Sequence, residues 1–177
     1  KKRLLRSSAP QVADFTYIKT KSGWVYTAFI IDVFSRAIVG WKVSTRMNTD
    51  MVLDALEQAL HDRGMPKNVI HHSDRGVQYL SIRYTNRLEA ANLRASVGTT
   101  GDSYDIALAE TVNDLYKTEV IEYLKADWQG LADVQLATLN WVDWFNKKRV
   151  HSALGYVSPF EFEAMYYDKI NPLGQVA

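Results

Sequence analysis

The chain has 177 residues, enough for one domain with a sizeable core, a length that argues against two full ones. Its 47% hydrophobic and 23% charged content and net charge of +1 describe an ordinary globular protein, and they neither require nor exclude nucleic acid. The absence of cysteine excludes disulfides and thiolate metal sites and suits a reducing compartment, and no apolar run reaches the roughly 20 residues of a bilayer span.

The opening Lys1-Lys2-Arg3-Leu4-Leu5-Arg6 is basic without a signal-peptide core, so residues 1–10 read as a linker remnant. Residues 12–18 are rich in strand formers, and residues 19–23 supply a turn in which Gly23 can take positive φ. Residues 24–33 form a nearly continuous apolar run, as a buried central strand does. Ser35 and Arg36 turn the chain into a third strand over residues 37–44, which completes an antiparallel meander.

The period then changes. Asn48 or Thr49 can cap a helix on which Val52, Ala55, Leu56, Ala59 and Leu60 share one face, and Gly64 and Pro66 stop it. Residues 69–72 read as a fourth strand parallel to the first, residues 81–91 as a helix and residues 93–97 as a fifth strand. Two helices follow, over residues 104–123 and 131–148, the second packing Leu136, Leu139, Trp141 and Trp144 or Phe145. Most of the five tryptophans read as core. A meander followed by alternating helices and strands predicts an α/β fold with a five-stranded mixed sheet flanked by helices, the element order of the ribonuclease-H-like fold.

Three acids stand where such a sheet aims side chains at one point. Asp14 interrupts the first strand, an unfavourable place for an acid that is neither paired nor ligating. Asp74 follows the fourth strand in His72-Ser73-Asp74-Arg75-Gly76, and Glu110 lies in the helix after the fifth strand. Parallel neighbouring strands present their carboxyl ends together, where open α/β sheets bind ligands. Several converging carboxylates are what hard magnesium or manganese ions need. Taken singly, each has an ordinary reading: a salt-bridged strand acid, a turn residue and a solvated helix glutamate. Asp32, at a strand end before a turn, reads as structural. Neither an HExxH pattern nor any cysteine supports zinc at His71, His72 or His151, and His72 reads as a hydrogen-bonded structural residue.

The intervals narrow the choice. Thirty-five residues lie between Asp74 and Glu110. The words Asp14-Phe15-Thr16-Tyr17, Ile31-Asp32-Val33-Phe34-Ser35-Arg36, Ile38-Val39-Gly40-Trp41 and His72-Ser73-Asp74-Arg75-Gly76-Val77-Gln78-Tyr79 occur in order. They end in Trp144-Phe145-Asn146-Lys147-Lys148-Arg149-Val150-His151-Ser152 and Ser158-Pro159. From about residue 10 to 167 the chain resembles bacterial insertion-sequence transposases of the IS-three group, whose second reading frame (OrfB) carries a retroviral-integrase-like DDE core. Two positions depart from that pattern. Ile106 stands in Asp105-Ile106-Ala107 where the group reads Asp-Asn-Ala, and Gln11 stands where tryptophan is common. Ile106 is four residues before Glu110 on the same helix face, and isoleucine offers no hydrogen bond to DNA or to the glutamate.

The resemblance implies an integrase catalytic core over residues 11–127, with residues 128–177 its C-terminal helices and tail. It implies metal-dependent DNA cleavage and strand transfer, with Asp14, Asp74 and Glu110 as catalytic metal ligands for two Mg2+ or Mn2+ ions. Lys117, seven residues after Glu110 on nearly the same helix face, would meet a phosphate, with Asn113 one turn from the glutamate as a further contact. Arg75 would clamp phosphate or pair with an acid, and Lys147, Lys148, Arg149 and His151 would touch the DNA backbone. The implied partners are transposon ends, target DNA and at least a second copy of the chain, in a bacterial, nucleoid-associated cytoplasmic setting without membrane. Family members carry an upstream helix-turn-helix segment for end recognition, which is not visible here. Two other readings remain open: a different ribonuclease-H-like nuclease, and an inactive DNA-binding or assembly module, for which Ile106 is the only sequence support.

Overall fold

The computed structural model describes residues 10–73, 78–96, 103–124 and 127–170. Strands β1 (Gln11–Thr20), β2 (Gly23–Asp32) and β3 (Ile38–Ser44) form the meander, with Gly23 at φ 113° in the first turn. Helix α1 (Thr49–Asp62) follows, capped by the Asn48 side chain, which accepts from the Met51 N–H at 3.2 Å. Gly64 at φ 69° ends it in the left-handed region. Next come β4 (Ile70–Ser73), α2 (Ile82–Ala90) and β5 (Arg94–Ser96). Helix α3 (Ser103–Tyr116) continues directly into a π-helical turn, Lys117–Glu122. Helix α4 (Leu131–Lys147) and α5 (Pro159–Ile170) close the chain.

The sheet has the order β3-β2-β1-β4-β5, antiparallel from β3 to β1 and parallel from β1 to β5. This is the five-stranded mixed sheet expected from the element order. Strand alternation sends its two faces into separate cores. Val12, Ile18, Phe29, Ile31 and Ile38 pack against Val112 and Tyr116 of α3 and Val134, Trp141 and Phe145 of α4. On the opposite face, Ala13, Ala28, Ile30 and Val39 pack against Val52, Leu56 and Leu60 of α1 and Tyr84 and Leu88 of α2. Gly40 lets α1 lie close on β3, because a Cβ there would stand 2.2 Å from the Ala55 carbonyl oxygen.

Three expectations need correction. Leu136, Leu139 and Trp144 are 59%, 50% and 41% exposed, so they are not the packed face of α4. The buried stripe is Val134, Thr138, Trp141, Val142 and Phe145, and Leu136 lies well around the helix from it. Of the tryptophans, only Trp128 and Trp141 are buried, whereas Trp24 and Trp144 lie at the surface. Finally, α5 was not read from the sequence as an element of its own. A capping box starts it, Ser158 Oγ accepting from Glu161 N–H and Glu161 Oε2 accepting from Ser158 N–H, with Pro159 at the first helical position.

An ion pair fixes α5 to the body. Arg63, just past α1, donates from Nη1 to Glu163 Oε2 at 3.0 Å, with both side chains nearly buried. Burial pushes the neighbouring Asp32 carboxyl above its ordinary range, against the opposing pull of Arg63. Asp32 has the structural role expected of it, Oδ1 accepting from the Phe34 and Ser35 N–H groups at 3.0 Å each.

Candidate active site

Asp14 occupies a β1 position of the same parity as Val12 and Ile18, so its side chain faces α3. The parallel ladder between β1 and β4 runs through Gln11–His71, Val12–His72 and Ala13–Ser73. Asp14 is the β1 residue that follows the last described pair of this ladder. Asp14 and Glu110 line one cleft of about 90 Å³ with Val12, Ala13, Ile106 and Ala109. The first strand and the third helix thus bring two of the three predicted acids to one opening, and Ile106 shares it. Asp74 and Arg75 lie outside the described residues.

Both Asp14 oxygens already accept a hydrogen bond. Oδ1 accepts from the Phe15 N–H at 2.8 Å, and Oδ2 accepts from Asn113 Nδ2 at 2.7 Å. Asn113, expected to touch DNA, is 7% exposed, its amide directed at the carboxylate. Its place three residues after Glu110, on the same helix face, is legible in sequence; Asp14 as its partner is not.

A second tie was not anticipated. His72 Nε2 lies 3.1 Å from Asp105 Oδ2, with both side chains largely buried, joining the end of β4 to the first turn of α3. His71, on the other face of β4, is fully buried with Nε2 2.7 Å from the Tyr84 hydroxyl, and burial lowers its pKa to about 3. Among the described residues no group of three or more His, Asp or Glu side chains converges as a metal site.

The predicted DNA contacts divide. Lys117 Nζ stands 5.5 Å from the centre of the Tyr17 ring. Lys147, exposed, pairs with Asp143 one turn earlier, and Lys148 is exposed. Arg149 faces the fold, donating from Nε at 2.9 Å and Nη2 at 2.8 Å to Glu119 Oε1. His151 is buried, its ring 4.8 Å from that of Phe145, and burial and Arg149 lower its pKa to about 4. These two were expected at a DNA backbone; the fold holds both inside local packing. No helix among the described residues is long and apolar enough to cross a membrane.

This architecture and cleft have counterparts. An Integrase core domain model matches residues 11–103, and a second one matches residues 91–159. The transposase for insertion sequence element IS629 of Shigella sonnei is 56% identical over 159 residues, 90% of this chain and 53% of that protein. Transposase InsF for insertion sequence IS3A of Escherichia coli K12 is 40% identical over 152 residues, 85% of this chain and 52% of that protein. The chain thus spans about half the length of these relatives. Among solved structures, the simian T-cell lymphotropic virus intasome matches with a TM-score of 0.74 at 17% identity, over 88% of this chain and 54% of that one. The HTLV-2 integrase catalytic core domain in complex with magnesium matches with a TM-score of 0.70 at 18% identity, over 90% of this chain and 98% of that one. The likeness to the viral structures establishes the ribonuclease-H-like fold, and the sequence matches over both halves establish the lineage: the chain belongs to the integrase core domain family.

Proposed function

We propose that the chain is the catalytic core of a DNA transposase, a polynucleotidyl transferase in which Asp14, Asp74 and Glu110 hold Mg2+ or Mn2+. The observation that carries this is the cleft shared by Asp14 and Glu110 just past the described β1–β4 ladder. In sequence Asp74 follows Ser73 as Asp14 follows Ala13, and Ser73 and Ala13 are register partners. The donors fit hard divalent cations: they are carboxylates, and no cysteine is present to favour a soft metal. When bound, such ions activate an attacking oxygen and stabilise a leaving one.

The residues of this chain supply placement and charge. Asn113 and the Phe15 N–H fix the Asp14 carboxylate, so that little reorientation remains when a cation and DNA arrive. The His72–Asp105 tie joins β4 to the helix that carries Glu110. Lys117 meets a phosphate beside the cleft, with Lys147 and Lys148, and Arg75 next to Asp74, as further backbone contacts. The partners are transposon ends and target DNA, and the working form is a dimer or higher oligomer, because joining two ends to one target needs more than one core. The setting is the bacterial cytoplasm at the nucleoid.

Manganese titration by calorimetry tests this, in the native chain and in Asp14→Asn, each alone and with a DNA end. Binding by the native chain that disappears in Asp14→Asn is expected. Equal binding in both, or none in either even with DNA, would turn the reading towards an assembly module.

A further inference from the structure

Two large aromatic side chains stand at the surface of the β1–β2 hairpin. Tyr17 is 56% exposed and Trp24 is 50% exposed, with ring centres 5.4 Å apart and planes at 80°. Their edge-to-face contact holds both rings in place without burying either. The Lys117 ammonium sits 5.5 Å from the Tyr17 ring centre, fixed by a cation–π contact. Lys19, the register partner of Trp24, is exposed on the same strand face as Tyr17.

The position of this cluster says what fits it. Tyr17 lies three residues along β1 from Asp14, about 10 Å away and on the opposite face of the strand. Lys117 lies seven residues along the helix from Glu110, again about 10 Å. Lys117, from the helix on one face of the sheet, reaches Tyr17, whose parity in β1 places it on the other face. A strand of nucleic acid leaving the cleft past Lys117 meets the ammonium and then the rings two or three nucleotides on, at a rise of about 3.4 Å each. Fixed cations beside half-exposed aromatic faces are the chemistry of single-stranded nucleic acid binding.

We propose that Tyr17, Trp24 and Lys117 form a stacking site for an unpaired nucleotide flanking the DNA end, the phosphate at Lys117 and the base on the Trp24 indole. This inference rests on the transposase reading above. The requirement for an unpaired base follows from geometry, since a base inside a duplex has both faces covered by its neighbours. Tyr17 acts as the bracket, holding ammonium and indole within reach of one nucleotide.

Fluorescence of 2-aminopurine tests it, with two duplexes compared on the full chain. One is blunt, and the other carries a three-nucleotide unpaired 5′ flank containing the 2-aminopurine. The native chain is expected to bind the flanked duplex about tenfold more tightly and to quench its fluorescence. Trp24→Ala removes both the preference and the quenching, while Trp24→Phe keeps most of each. Equal affinity of the native chain for the two duplexes would overturn the proposal, as would a Trp24→Ala loss that is the same for both. A changed association state of Trp24→Ala in sedimentation would assign the ring pair to a protein contact instead. Manganese titration of the native chain separates these failures from failure of the transposase reading, because it reports on the acids and not on the rings.

Discussion

Asn113 donates a hydrogen bond of 2.7 Å to Asp14 Oδ2, joining α3 to the strand acid through an amide that solvent hardly reaches. The acid therefore has its orientation set before any ligand arrives. Asn113→Leu keeps the bulk and removes the donor. Its manganese affinity, with DNA present, is expected to fall about 10-fold to 100-fold, the usual effect of losing the partner of a ligating carboxylate. Unchanged affinity in a variant with native unfolding behaviour would separate Asn113 from the site.

Ile106 lines the same cleft as Asp14 and Glu110 without offering a polar atom. Ile106→Asn restores a group able to hydrogen-bond DNA or the glutamate, one helical turn before Glu110. Strand-transfer product, measured on gels with labelled ends, is expected to rise several-fold, while thermal stability changes little at this half-buried position. A fall in product would show that the apolar side chain suits the reaction.

The two lowered histidines make stability depend on pH. His71 titrates at about 3 and His151 at about 4, both below the ordinary 6.5, because burial disfavours their charged forms. Between those values the unfolded chain binds more protons than the folded one, so stability is complete above about 6.5 and lost as pH falls. Each histidine contributes a slope of up to about 1.4 kcal/mol per pH unit within its window. Urea unfolding from about pH 7 to pH 4 should show this decline, shallower in His71→Gln. A slope identical in that variant would contradict the assignment.

Glu163→Gln leaves the Arg63 guanidinium buried without its carboxylate, and Asp32 as the acid remaining beside it. Breaking a buried pair from one side costs about 3–5 kcal/mol, which for a chain of this size lowers the melting temperature by roughly 10 °C. Differential scanning calorimetry reads this directly, and a shift of a degree or two would mean that water reaches the pair.

Much of this was legible in sequence because the patterns were local. The period-2 and apolar runs of β1 to β3, the Asn48 cap and the Gly64 stop are written in neighbouring residues, and they appear where read. The face of α4 was misjudged because Leu136, Leu139 and Trp144 are as apolar as the buried stripe, and only the packing partner decides which side turns inward. The same holds for charge. Nothing near Arg149 in the chain announces Glu119, thirty residues earlier, so its pairing is not legible within the basic run. Asn113 lies between these cases: its helix face was readable from Glu110, but its partner 99 residues away was not.

The π-helical turn Lys117–Glu122 divides the long helix into two parts with different duties. Upstream stand Glu110 and Asn113; within the turn, Glu119 takes up Arg149 and the Trp141 indole N–H, and Val120 enters the core. A π turn holds an extra residue relative to an α turn, closing i to i+5 instead of i to i+4. Losing one residue here lets the turn tighten to α, and the change of phase falls downstream, on the seam with α4. The cleft at the front of the helix keeps its angles. The turn is thus a place where a lineage can gain or lose a residue and re-fit its packing without re-aiming its acids.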